Sequence, residues 1–225
     1  MDKKQAHLLT MLDFSHVKNV HEVREHAAEI AFEIMNNWEL VSFDQTRRIL
    51  ALEFYLIIPK IFEDDSTVTD LVTGIKGAAH KRFEQLTPGC FYFHTKSKGE
   101  KWSPPIFNRH GVDITCGDKE KEIYGGILLR HLSGANNQDG SGRALRAILR
   151  GDKGFDPIQS SSKDFGWSEQ ELALIKKMHH QSIFDGDIRF VWAPLENKVE
   201  LKRLTRIGID KTKFANELLR FVVKS

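Results

Sequence analysis

Apolar positions along this chain follow two periods, and the change from one to the other outlines its elements. From Val20 to Trp38, Val23, Ala27, Ile30, Ala31, Ile34, Met35 and Trp38 fall on one side of a 3.6-residue repeat, with Glu22, Arg24, Glu25, Glu29 and Glu33 mostly off it. That pattern predicts an amphipathic helix. From Arg48 to Ile58 the period is two. Leu50, Leu52, Phe54, Leu56 and Ile58 share the expected core face of a strand, and Ile49, Ala51, Glu53, Tyr55 and Ile57 share the other. A turn at Ser42 or Asp44 leads into this strand.

Further strands are predicted at Cys90–His94, after the Thr87-Pro88-Gly89 turn, at Val112–Thr115 and at Ile123–Leu132. Late strands are predicted at Ile188–Ala193, Leu201–Ile209 and Leu218–Val223. Glu63–Ser66, Lys96–Lys101 and Ser133–Gly142 have loop composition, and Val68–Phe83 reads as a short helix broken near Gly74 and Gly77. Arg143–Arg150 is a short helix, and Ser168-Glu169-Gln170-Glu171 is a capping box opening a helix to about His179. Helices and strands mix without a regular βαβ period, which favours an α+β fold. No linker divides the chain. Residues 1–45 are expected to pack as a segment and helix onto one compact unit, residues 46–225.

Composition narrows the class. The chain has 225 residues, 40% of them hydrophobic with 15 Phe, enough for a substantial core. No apolar run approaches the ~18 residues of a membrane span, and Met1–Gln5 has no apolar signal core. Cys90 and Cys116 match no disulfide framework or zinc signature, so free thiols in the cytoplasm are expected. The net charge of +2 conceals an uneven distribution. Residues 22–65 hold ten acids and four bases, whereas 76–101 and 198–213 each hold six bases and two acids. With Arg143, Arg146 and Arg150 along one side of a helix, converging basic stretches would attract phosphate; otherwise they are ordinary solvated charge.

Glu53 is the chemically conspicuous residue. A carboxylate inside an apolar strand needs a partner or a task. It is either a structural acid paired with an arginine, the commoner arrangement, or a general base with the Tyr55 ring beside it. Arg130, ending the apolar run of Gly125–Leu129, is its natural partner in both readings. Gly140-Ser141-Gly142 is either a tight helix start or a phosphate-receiving turn. His16, His21 and His26 read as surface residues, His179 and His180 as partners of helix-terminal carbonyls, and Asp113 as a turn acid.

Taken in order, these segments resemble the alkyladenine (3-methyladenine, methylpurine) DNA glycosylase family over residues 46–223. Arg48–Tyr55 is similar to the family strand ending Glu-Thr-Glu-Ala-Tyr, with Glu53 at the second glutamate and Tyr55 at the tyrosine. Ala78-Ala79-His80 resembles its small-small-His, and Pro88–Phe93 its Pro-Gly turn and Tyr-Val-Tyr strand. Ile127–Arg130 resembles its Val-Leu-Ile/Leu-Arg strand, and Gly140–Ile148 its Gly-Pro-Gly-Arg/Lys helix. Arg206-Ile207-Gly208-Ile209 and Leu219-Arg220-Phe221 are similar to its closing strands. The departures are Ala51 for the first glutamate, Leu52 for the threonine and His94 for the second tyrosine. The segment Lys96–Asn108 is inserted, His110 stands where the family has a DNA-inserting tyrosine, and Gly117 lies near a gating asparagine's place. They point to altered specificity or to loss of activity.

The resemblance implies one domain with a curved, mostly antiparallel sheet or partial barrel flanked by helices. It implies excision of a damaged purine flipped out of duplex DNA by a monomer, with no cofactor or metal. Glu53, Arg130 and His80 would be catalytic. Tyr55, Tyr92 and His94 would contact the base, and Arg109, His110, Arg143, Arg146 and Arg206 the DNA. No lysine is placed as a Schiff-base nucleophile, so hydrolysis without strand cleavage is expected. Two alternatives use the same scaffold: a non-catalytic nucleic-acid-binding protein, and a binder of free nucleobases or similar planar ligands. A zinc site from Cys90, Cys116, His94 and His110 has non-standard spacing.

Overall fold

The chain opens with a helix that the apolar periodicity did not disclose. Asp2 caps α1 (Lys3–Met11), accepting from the backbone N–H groups of Lys4 and Gln5 at 2.7 and 2.8 Å, and Gln5 returns a bond to the Asp2 N–H. Asn19 caps α2 (Val20–Asn37), whose predicted stripe of Val23, Ala27, Ile30, Ala31 and Ile34 is fully buried. The computed structural model describes residues 1–43, 45–63, 83–94, 111–134, 140–150, 168–207, 214 and 216–224. Asp44, the Val68–Arg82 part of the broken helix, the Lys96–Lys101 loop and the glycine of Arg206–Ile209 lie outside those residues.

The described strands are β1 (Trp38–Ser42), β2 (Gln45–Ile58), β3 (Phe62–Glu63), β4 (Phe91–Phe93), β5 (Val112–Thr115), β6 (Tyr124–Leu132), β7 (Ile188–Trp192), β8 (Leu201–Leu204) and β9 (Arg220–Val223). With α1, α2, α3 (Ser141–Arg150) and α4 (Glu169–Met178) they make one α+β domain, a curved half-barrel sheet flanked by helices. The sheet runs β4-β5-β6-β2-β1-β7, with β3 and the β8–β9 pair also on β2, and every described pairing is antiparallel. The long strand β2 is its axis.

One face of the sheet is apolar. Leu52, Phe54, Leu56, Phe91, Phe93, Ile114, Ile127, Leu129 and Phe221 join the α2 stripe in a single core. Truncating one such residue to Ala typically costs about 2–5 kcal/mol, from lost transfer energy and the cavity left behind. Leu50 is not part of this core, contrary to strict alternation; Ile49 is. The reason is a pair of offsetting bulges. Ile49 pairs with Leu132, Ala51 with His131 and Leu52 with Leu129, so Leu50 is an extra residue on β2 and Arg130 an extra residue on β6.

Other expectations also change. Trp38 starts β1 and does not end α2; its backbone is extended (φ −126°, ψ 147°). The last strands are shorter, β8 stopping at Leu204 and β9 starting at Arg220. The Ser168 capping box is present, with Ser168 N–H donating to Glu171 at 2.6 Å. The His179 side chain leaves the helix terminus and accepts the Phe93 backbone N–H through Nδ1 at 3.2 Å, because the chain turns there onto β4. Arg203 of the late basic stretch pairs with Glu25 of α2 at 2.6 Å, so part of the charge asymmetry is resolved inside the molecule.

His26 is also not a surface residue. It is 9% exposed, meets the Phe14 ring edge-on at 4.8 Å and lies 3.1 Å from the Asp13 carbonyl through Nε2. Burial, then the neighbouring His16, lowers its pKa below the usual 6.5. The unfolded chain therefore takes up this proton first as pH falls. The stability it contributes is complete above the unfolded value and is lost as pH drops through the folded one. Thermal unfolding followed from pH 7.5 to 5 is expected to show a falling midpoint below about pH 6.5. His26→Gln should remove that component, and an unchanged pH profile in the variant would assign the loss to another group.

Candidate active site on the polar face of the sheet

The opposite face of β2 carries Ala51, Glu53, Tyr55 and Ile57, all buried. Glu53 is 0% exposed and sits between two strands: Leu128 of β6 is directly opposite on one side and Arg220 of β9 on the other. Its carboxylate is enclosed by donors. Oε2 accepts the Tyr55 hydroxyl at 2.6 Å and faces Arg130 Nη1 at 3.3 Å. Oε1 accepts the Ile207 backbone N–H at 3.1 Å and lies 3.6 Å from Arg220 Nε.

Each partner has a structural cause. Arg220 is the cross-strand neighbour of Glu53, where opposite charges attract most directly. Arg130 is the bulged residue of β6, and bulges re-aim side chains. Its backbone carbonyl also accepts the Gly140 N–H at 2.9 Å, tying the start of α3 to the same point. Burial, reinforced by the Glu53 charge, pushes the Tyr55 phenol well above its usual pKa, so Tyr55 stays protonated and donates.

The same face continues across the sheet. Tyr92 of β4 lies opposite Asp113 of β5, and Asp113 lies opposite Leu128. His94 Nε2 is 2.8 Å from Asp113 Oδ1, and the Tyr92 ring lies 5.8 Å from His94 and 5.3 Å from His179. Gly126 faces Tyr55 across the strands, and a Cβ there would come within 2.6 Å of Asp113 Oδ2. The glycine is needed because the carboxylate occupies that space.

Of the sequence-predicted site residues, Glu53, Arg130 and Tyr55 converge, and Tyr92 and His94 extend the same face. Arg143 is exposed and Arg146 half-buried on α3. His80, Arg109 and His110 lie outside the described residues. Arg206, expected among the DNA contacts, is instead interior and 5% exposed. Its guanidinium donates to the Phe54 and Phe214 carbonyls at 3.2 and 2.9 Å and lies 5.4 Å from the Tyr55 ring centre, bracing the backbone that supplies the Ile207 N–H.

Sequence reasoning missed Arg220 and Asp113 as site residues. Arg220 stood within a predicted strand, yet its pairing with Glu53 depends on register. Asp113 is no turn acid but a fully buried strand residue. The alternation Val112-Asp113-Ile114-Thr115 was its available signal.

Among the described residues no group of three or more His, Cys, Asp or Glu is arranged to hold a metal ion. Cys90 and Cys116 are buried free thiols. Burial, helped for Cys116 by the Asp113 charge, raises their pKa values and leaves them as neutral thiols. A groove of about 690 Å³ lies away from this face, between α2 and β8–β9, lined by Met11, Ala28, Phe32, Leu201 and Phe221 among others. No described helix is long and apolar enough to cross a membrane. Neither family models nor curated protein sequences yield a match to this chain.

The enclosure of Glu53 predicts graded losses of stability. Glu53→Ala leaves two arginines and a tyrosine hydroxyl facing a hole and should destabilise by about 3–5 kcal/mol. Glu53→Gln keeps one acceptor oxygen and should cost less. Urea unfolding measures both, and a Glu53→Gln midpoint equal to that of the wild type would show that the carboxylate charge is not what holds the partners.

Proposed function

We propose that this chain is a DNA base-excision glycosylase of the alkyladenine type, on a methylpurine-glycosylase-like half-barrel. The reaction is hydrolysis of the N-glycosidic bond of an alkylated or otherwise damaged purine flipped out of duplex DNA. The observation that carries the reading is the meeting of Glu53, Arg130 and Tyr55 at a bulge on one face of the sheet, with Tyr92 and His94 along that face.

A base must leave the stack to be reached, at a cost of a few kcal/mol that damaged or poorly paired bases lower. Tyr55 and Tyr92 supply rings against which an extruded base can pack. Glu53 takes a proton from a water as its oxygen bonds to the sugar C1′. The glycosidic bond breaks with its electron pair leaving on the base, which an alkylated, electron-poor purine accepts readily. General-base assistance of this kind typically contributes about 10²–10⁴-fold. The Arg130 contact, longer than that of Tyr55, is where a water can share Oε2. His80 would serve near the sugar or phosphate, and Arg109, His110, Arg143 and Arg146 would meet the DNA; Arg206 is dropped from that set. The reading carries with it a cytoplasmic monomer that needs no cofactor.

A second reading is a non-catalytic nucleic-acid-binding protein on the same scaffold. It is favoured by the full enclosure of Glu53, which lacks any exposed surface.

One experiment decides between them. Wild-type protein incubated with an alkylated duplex oligonucleotide is expected to release free modified base. Glu53→Gln should release none while retaining duplex binding that weakens as salt rises. Equal release by both proteins would remove Glu53 from the chemistry. Salt-sensitive binding with no release by either would establish the binding-protein reading.

A further inference from the structure

We infer that Asp113, with His94 beside it, reads the edge of the bound base and selects a heterocycle presenting N–H donors, a guanine-type edge over an adenine-type one. This rests on the proposal that the polar sheet face receives a base, and not on hydrolysis taking place there.

The Asp113 side chain is 0% exposed, and its two oxygens differ. Oδ1 is engaged by His94 Nε2 at 2.8 Å, whereas Oδ2 is buried without a hydrogen-bond partner among the described residues. A buried acceptor with no donor is costly, and folded proteins keep few of them without a use. Its position gives it one. Asp113 is opposite Leu128, which is opposite Glu53, so the two carboxylates sit on one face about two strand spacings, roughly 9–10 Å, apart. Oδ2 leans over Gly126, where a Cβ would lie only 2.6 Å away, and Gly126 is the cross-strand partner of Tyr55. Tyr92 is the cross-strand partner of Asp113 on its other side. The free oxygen therefore lies between two aromatic side chains, on the same face as the group proposed to act at the sugar. His94, at 26% side-chain exposure, is the member of the pair that meets solvent and marks the side of entry.

An ionised carboxylate only accepts hydrogen bonds. Guanine offers it N1–H and the 2-amino group side by side. Hypoxanthine offers N1–H alone. Adenine turns a ring-nitrogen acceptor toward it at the same place, which the carboxylate repels. A site built to take such donors rejects a ligand lacking them, because its own polar group is then left unpaired.

The test uses 9-methylguanine, 9-methyladenine and 1,9-dimethylguanine, titrated into wild-type protein and Asp113→Asn and followed by NMR. Wild type should bind 9-methylguanine about tenfold or more tightly than the other two, as expected for one hydrogen bond to a charged group. Asp113→Asn should lose that preference. Equal affinities for the three probes, no binding of 9-methylguanine, or a preference unchanged by Asp113→Asn would overturn the inference. If Asp113→Asn does not fold, the wild-type contrast between 9-methylguanine and 1,9-dimethylguanine decides alone. Base release measured in parallel separates the two proposals. Guanine-selective binding without release supports this one and sinks only hydrolysis, while release without selectivity overturns this one alone.

Discussion

Removing a carboxylate from water costs several kcal/mol even after the protein relaxes, and Glu53 is removed completely. That cost is offset only when four groups arrive together: the Tyr55 hydroxyl, the guanidiniums of Arg130 and Arg220, and the Ile207 N–H. They come from β2 itself, from β6, from β9 and from the segment after β8. The charge therefore requires both neighbours of the axial strand to be in register and the 204–207 backbone to be docked. Arg206 secures the last condition by holding the Phe54 and Phe214 carbonyls. A slip of β6 by one residue would turn Arg130 away and move every side chain of that strand to the other face.

The rest of the architecture follows from keeping the two faces different. Helix α2 and the phenylalanines of β2, β4 and β9 fill one side with a dry core that needs no polar partner. The other side is equally buried along β2 but is held by charge and hydrogen bonds. Only Gly126 makes this geometrically possible at its centre, since any side chain there would collide with Asp113. The paired bulges at Leu50 and Arg130 break alternation near one end of the face and restore it within two residues. They switch which positions of β2 face the core, Ile49 before them and Leu52 after, and they turn Arg130 toward the acid.

Much of this was legible in the residues, and what was not has physical causes. The α2 stripe and the alternation of Leu52 to Ile58 report burial directly, so helix, axial strand and the Glu53–Arg130 partnership could be read. Bulges have no periodic signature, so Leu50 was assigned to the core. Strand β1 follows α2 with no glycine or proline between them, and Trp38 fits the last position of a helical stripe as well as the first of a strand. Arg220 and Asp113 gained meaning only through cross-strand register, which one sequence does not display. Arg206 looked like a surface cation because nothing local reveals that two backbone carbonyls, one of them more than 150 positions earlier in the chain, will capture it.

The arrangement around Glu53 also constrains how such an acid can act. Its two short contacts, to Tyr55 and to the Ile207 N–H, define the orientation of the carboxylate, and a reaction that broke them would lose that orientation with them. Its two long contacts, at 3.3 and 3.6 Å, are both to arginines, whose charge acts at a distance and does not need close hydrogen bonding to persist. A water entering beside Oε2 can lengthen the Arg130 contact while the electrostatic support remains. In the proposed reaction the tyrosine and the backbone would thus fix the base's geometry, and the arginines would yield room without surrendering the charge.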